Sequence, residues 1–348
     1  MTRRPASSRW PRTLVLAACS LVVAAASGEE PAPSAGDALQ QQIRSVFDKC
    51  QSAIVRIEAR DVDGKLAGTG FFIDPNGTLF TSYSVGGEAQ DLVVVHGSMK
   101  YPATRLISDS RTGVAILKVE AQTPFLTAGK SRELGIASPV ITVGYPLDLP
   151  ITPSFGIVGG FDIRYLGRYF ATTHIRANVP VQRGEGGSPL LNLRGEVVGI
   201  MISSLDNGSA SHVLPIEAAE KVRRDYSRFR EVRPGWIGMQ VVAAEESIHG
   251  STAEIRGIVT DSPAEKAGLL RGDMLLQVGD RSVKTPEDVL DAVYYISVDE
   301  ELPVRVVRDE ETMDFKVQPA DHPHFRRTPP NALGTANDLR LPPVKMEK

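Results

Sequence analysis

The sequence predicts a mainly β unit followed by a smaller unit of mixed strands and helices. Three observations carry this expectation. From Ala53 onward, short apolar runs broken by turn residues recur with few helical patterns between them; over about 160 residues this argues for a barrel or a sandwich. The first long helical pattern after these runs is Ile216–Arg230, with Ile216, Ala219, Val222 and Tyr226 on one face. Beyond Arg233-Pro234-Gly235, residues 235–320 change texture to strands with two short helices. A chain of 348 residues, at roughly 100–200 residues per domain, accommodates two folded domains and their tails.

At the N-terminus, Arg3, Arg4, Arg9 and Arg12 precede an apolar stretch from Leu14 to Ala26 that ends in Ala24-Ala25-Ala26. A basic start, an apolar run of about 13 residues and small residues at its end make a secretory signal over residues 1–26. The run is short of the roughly 20 residues a membrane span needs, so no transmembrane span is expected in the mature chain. A lipid-modified Cys19 within Leu16-Ala17-Ala18-Cys19 is the alternative. Export to the periplasm or the exterior is the expectation. Residues 27–36 read as a linker, and Asp37–Gln51 as a helix with Leu39, Ile43, Val46 and Phe47 on one face. Strands follow at residues 54–57, 70–73, 92–95, 114–117, 140–143 and 197–201, with turns at Asp74-Pro75-Asn76-Gly77 and Leu193-Arg194-Gly195-Glu196. The first domain is thus expected over residues 37–232 and the second over 233–320. The polar, proline-rich stretch 321–348 reads as a disordered tail. His322 and His324 alone make a weak metal site, and no metal or cofactor is expected.

Lys and Arg number 39 against 42 Asp and Glu. No basic excess suggests a nucleic-acid partner. Removing residues 1–26 takes away four arginines and moves the net charge from −3 to −7. Cys50 is then the one cysteine left, which excludes an internal disulfide and points to a small buried apolar residue.

Five motifs in order carry a resemblance. They are Gly68-Thr69-Gly70-Phe71-Phe72-Ile73 with Gly77–Val85, Tyr101-Pro102-Ala103 with Asp109–Lys118, Gly144-Tyr145-Pro146, Ser154-Phe155-Gly156-Ile157-Val158, and Gly184-Glu185-Gly186-Gly187-Ser188-Pro189-Leu190. Together they resemble the HtrA/DegP-type serine proteases over about residues 40–230, which implies a trypsin-like double β-barrel. The resemblance places the family's general base at Ser84, its orienting aspartate at Gly113 and its nucleophile at Gly186. A hydroxyl is no base at neutral pH, and two glycines have no side chain to offer. Ser188 follows the nucleophile position by two residues, roughly 6–7 Å along an extended chain against a reach of about 3 Å. It reads as a small structural residue. His174 and His212 fall in no triad motif and read as strand or surface histidines. The resemblance leaves Gly184 and Gly186 as a remnant of an oxyanion hole, kept because the turn needs them.

Residues 235–320 resemble the PDZ domain that follows in this family. Gly235-Trp236-Ile237-Gly238-Met239 resembles the carboxylate-binding loop, Ser262–Leu269 the capped first helix, and Gly272-Asp273-Met274-Leu275 the strand after it. The resemblance implies a groove that takes peptide C-termini as an added strand, lined by Trp236, Ile237, Gly238, Met239, Val241, Leu290 and Tyr294. Val289 and Val293 then face the core. The function expected is a noncatalytic, exported peptide- or protein-binding scaffold, chaperone or regulator. The alternatives are a serine endopeptidase using displaced residues and a structural subunit of a homo- or hetero-oligomer of HtrA-like proteins.

Overall fold

The structure, a computed structural model, describes residues 34–205, 208–298 and 300–323. The signal-peptide and Cys19 expectations, His324 and most of the tail lie outside them. Ser34 caps the first helix, α1 (Ala35–Cys50), through a reciprocal bond pair with Asp37. The helix therefore begins two residues inside the expected linker. Val46 and Cys50 anchor it in the core. Cys50 is fully buried, its thiol lies 3.5 Å from the Gly195 carbonyl, and burial pushes its pKa up.

Seven strands form the first sheet: β1 (Ile54–Arg60), β2 (Lys65–Phe72), β3 (Thr78–Ser82), β4 (Gln90–His96), β5 (Met99–Pro102), β6 (Thr104–Asp109) and β7 (Val114–Lys118). Their order is β5-β4-β1-β2-β3-β7-β6. Asp74 shapes the β2–β3 turn by accepting from the amides of Asn76 and Thr78. A one-turn helix, α2 (Tyr83–Gly86), follows β3. The second sheet closes into a barrel of β8 (Pro139–Gly144), β9 (Thr152–Tyr165), β10 (Arg168–Asn178), β11 (Pro189–Leu191), β12 (Val197–Leu205) and β13 (Ala210–Pro215). One apolar core runs across both sheets, from Phe71, Phe80 and Ile116 to Ile141, Leu191 and Leu214.

Helix α3 (Ile216–Phe229) closes the first domain and ends on Arg230 in a left-handed conformation. Inside it, the Lys221 ammonium is 2.5 Å from the Asp225 carboxylate, and both are buried. Lys221 also donates to the Arg233 carbonyl at 3.1 Å, and Asp225 accepts from the Arg233 amide at 3.0 Å. The pair ties the helix to the chain that leaves it.

The second domain comprises β14 (Gly235–Trp236), β15 (Met239–Ile248), β16 (Ser251–Ile258), α4 (Pro263–Lys266), β17 (Met274–Val278), β18 (Arg281–Ser282), α5 (Pro286–Tyr294), β19 (Leu302–Arg308), β20 (Glu311–Val317) and β21 (Ala320–Asp321). Its main sheet runs β15-β16-β17-β19-β20, so β15 is an edge strand. Ser262 caps α4 by accepting from the Glu265 amide, while Glu265 reaches back to the amide of Asp261 and not to that of Ser262. Asp321 pairs with Gly235 in a two-stranded ladder, so the folded domain runs past residue 320. Among the described residues, no helix is long and apolar enough to cross a membrane.

Candidate functional site

The end of β3, the start of β7 and the loop of residues 182–188 meet between the two sheets. Ser84 sits on α2, and its hydroxyl is 2.9 Å from that of Ser82. Gly186 lies opposite. A β-carbon there would stand 3.2 Å from Ser82 Oγ and 3.6 Å from Ser84 Oγ. Gly113 joins the group through its carbonyl, which accepts from the Tyr83 amide at 2.6 Å. The structure therefore brings the three expected positions together.

Gly113 is held at φ +78°, and a β-carbon there would run into Ile202 Cγ2. An aspartate does not fit this backbone and this neighbour. The loop of residues 182–188 is tied to the first sheet by Thr69, whose amide donates to the Gly186 carbonyl at 3.0 Å and whose hydroxyl donates to the Gly184 carbonyl at 2.8 Å. Gly184 has φ +98° and Gly187 +89°, conformations that suit glycine.

Neighbouring polar groups are buried or held away from the meeting point. Ser188 is fully buried, and its hydroxyl points at Gly144. Glu185 is buried as well; one carboxyl oxygen accepts from the Gln182 amide at 2.6 Å, and burial raises its pKa. The Asp109 carboxylate is taken up by Thr112 Oγ1 at 3.0 Å and Arg111 Nε at 3.1 Å. His174 and His212 are both buried strand residues, so the surface alternative does not hold for either. Their partners are Thr172, Asp162, Phe170 and Tyr165, none of them Ser84 or Gly186. Burial lowers the His174 pKa to about 4. What remains at the meeting point is two hydroxyls and backbone, a set that can donate hydrogen bonds but holds no group to take a proton at neutral pH.

In the second domain, the loop from Trp236 to Met239 enters edge strand β15. The Ile237 carbonyl accepts from Ala264 at 2.8 Å and the Gly238 carbonyl from Val259 at 2.9 Å, so both carbonyls face the domain body. Gly238 has φ +80°, and a β-carbon there would collide with the Ser262 side chain. Met239 and Val241 are half-buried against the domain core, as is Val293 on α5. Val289 is buried in that core. Leu290 on α5 is 49% exposed.

Tyr294 departs from the expectation. It packs against the core of the first domain, and its hydroxyl donates to the Ala218 carbonyl of α3 at 3.2 Å. Burial pushes its pKa well above the ordinary value. One helical turn from Leu290, it belongs to the contact between the domains and not to a wall shared with Leu290. Its neighbours continue that contact. Asp291 accepts from Thr172 Oγ1 at 2.5 Å and from the Thr173 amide at 2.7 Å, and pairs with Arg281. Arg281 lies over the Tyr295 ring, 3.6 Å from its centroid. Sequence reasoning missed this clasp, because Asp291 reads there as one more polar residue on an amphipathic helix.

Comparison with known proteins agrees with this architecture. Residues 68–200 match a trypsin-like peptidase domain model, and residues 254–308 a PDZ domain model. Proteins named probable periplasmic serine endoprotease DegP-like are similar to the chain. The one from Chlamydia pneumoniae is 27% identical over 74% of this chain and 55% of its own length. That from Halomonas elongata is 28% identical over 79% and 60% respectively. The chain thus spans somewhat over half the length of these relatives. Among solved structures, the HtrA-type protease AlgW with a tripeptide superposes with a TM-score of 0.65 at 19% identity, covering 81% of this chain and 97% of that one. The serine endoprotease from Yersinia pestis gives 0.55 at 22% identity, over 80% and 98%.

Proposed function

Because the chain belongs to the HtrA/DegP type, a trypsin-like peptidase domain followed by a PDZ domain, we propose that it is a noncatalytic member that binds peptide C-termini through its PDZ groove. The observation that carries this reading is the filled space beside Gly113. Acyl transfer by this family's chemistry needs a nucleophile, a base within hydrogen-bond reach, and a carboxylate that holds the base. The positions for these roles carry Gly186, Ser84 and Gly113, and Ile202 fills the space an aspartate would use. In a comparable triad, loss of the nucleophile or base alone costs on the order of 10⁶ in turnover. Ser188 offers no substitute, since its hydroxyl is buried against Gly144.

The PDZ reading rests on the loop of residues 236–239, the open edge of β15, and Met239, Val241 and Leu290 beside it. Export rests on Arg3, Arg4, Arg9, Arg12 and the apolar run behind them, and it agrees with relatives named periplasmic. Labelling with a fluorophosphonate and incubation with casein test the catalytic half. The mature chain is expected to give neither adduct nor cleavage. Casein hydrolysis that Ser188→Ala abolishes in a folded protein overturns the reading in favour of an endopeptidase with a displaced nucleophile.

A further inference from the structure

A cleft of about 720 Å³ lies away from the PDZ groove, between the outward face of the first sheet and the loops of the closed barrel. Strand pairing explains its chemistry. Val55, Ile57 and Ala59 of β1 turn into the core, so Arg56, Glu58 and Arg60 turn outward. Lys65 of β2 is the register partner of Arg60, and Ala67 and Val93 flank Glu58. Lys100 comes from β5 at the sheet edge. Across the cleft stand Leu147, Arg183 and Gly184, so its far end is the same loop that carries Gly186.

Five cations and two acids, Glu58 and Asp91, line this space, a net excess of three positive charges on a chain whose total is −3. Glu58 is already engaged by Arg56 and by Lys100 at 2.8 Å. Among the described residues, Arg60, Lys65 and Arg183 have no ion-pair partner. All three are exposed. The floor between them is aliphatic, from Ala67 and Val93.

We propose that this cleft binds an acidic polypeptide segment, with side-chain carboxylates on Arg60, Lys65 and Arg183 and its aliphatic portions on the floor. A concentrated charge of one sign in a walled cleft attracts the opposite charge more strongly than scattered surface charges do. Single-stranded nucleic acid is the poorer fit. Among the described residues, no aromatic ring lines the cleft to stack a base. The site goes beyond the PDZ reading and stands independently of it.

The test uses the mature chain and a fluorescent ten-residue Glu/Asp-rich peptide, acetylated and amidated so that it offers no terminal carboxylate to the PDZ groove. A Ser/Gly peptide of equal length and a single-stranded oligonucleotide serve as comparisons. The acidic peptide is expected to bind best, and to weaken steeply as salt is raised. Arg60→Gln, Lys65→Gln and Arg183→Gln together should weaken it about tenfold, as three exposed ion pairs allow, with the thermal unfolding midpoint unchanged. Arg183→Glu alone should weaken it in the same direction. Equal binding of the Ser/Gly peptide, tighter binding of the oligonucleotide, or full binding by the triple variant overturns the proposal.

Discussion

At Gly113 a single residue links backbone conformation, packing and chemistry. Its φ of +78° favours glycine, and Ile202 occupies the direction of its missing β-carbon. On the proposed reading, changing Gly186→Ser and Ser84→His would place a nucleophile and a base at positions that already face each other. Gly113→Asp meets both a strained backbone and a filled space, so it should destabilise the fold by about 1–3 kcal/mol. The triple variant is therefore expected to stay inactive toward casein, and urea unfolding should report the loss from the third change. Robust hydrolysis by the triple variant would show that Ile202 yields easily. His174 carries a second prediction. Its pKa is about 4 in the fold against an ordinary 6.5, chiefly because burial disfavours the cation. The unfolded chain binds a proton below pH 6.5 that the folded chain refuses until about pH 4. Stability is thus fully present above pH 6.5 and falls between these limits, by up to about 3 kcal/mol. His212, lowered by burial in the same cluster, acts in the same direction. His174→Asn, which keeps a nitrogen near the Thr172 carbonyl, should flatten the stability–pH curve between pH 6.5 and 4. An unchanged slope would assign the acid sensitivity to other groups.

Helix α5 presents two faces with different surroundings. Leu290 is 49% exposed and stands on the open side, whereas Asp291 and Tyr294 are committed to the other domain. Leu290→Asp should leave the unfolding midpoint nearly unchanged and weaken a hydrophobic C-terminal peptide by about three- to tenfold, the worth of one apolar contact. Calorimetry with free-acid and amidated peptides checks this, and an amidated peptide that binds equally well counts against a carboxylate loop. Gly238→Val is a poorer probe, since its side chain would strike Ser262 and break the loop itself. The division of labour on α5 also shows what was legible in sequence. Short apolar runs and the turns at Asp74 and Arg194 announced the strands, because composition over a few residues and turn chemistry are local properties. The cap at Ser262 was local in the same way. Leu290 and Tyr294 share a helical spacing that no local rule can split. Only the docking of β10 and α3 against the helix separates them. Lys221 and Asp225 show the same limit: their spacing of four residues is visible, but their burial comes from the chain returning at Arg233.

At the scale of the whole molecule, the two domains are joined by more than the chain between α3 and β14. Exposed ion pairs at the contact, Arg132 with Asp280 at 2.6 Å and Arg228 with Glu300 at 2.7 Å, are each worth about 0–1 kcal/mol. The buried part should weigh more. Asp291 collects Thr172 Oγ1, the Thr173 amide and Arg281, and Tyr294 Oη reaches Ala218. Removing the carboxylate leaves a buried amide and a guanidinium without their acceptor, at a cost on the order of 3 kcal/mol. That variant, Asp291→Ala, would also disturb Arg281 within its own domain, so it cannot by itself isolate the contact. Thr172→Val with Tyr294→Phe removes only hydroxyls that cross between the domains and keeps both shapes. If the contact couples the domains, the natural chain unfolds in one transition. The double variant then separates into two, with faster amide exchange confined to β10, α3 and α5. A single transition with unaltered exchange in the double variant would mean that the two domains touch without stabilising one another.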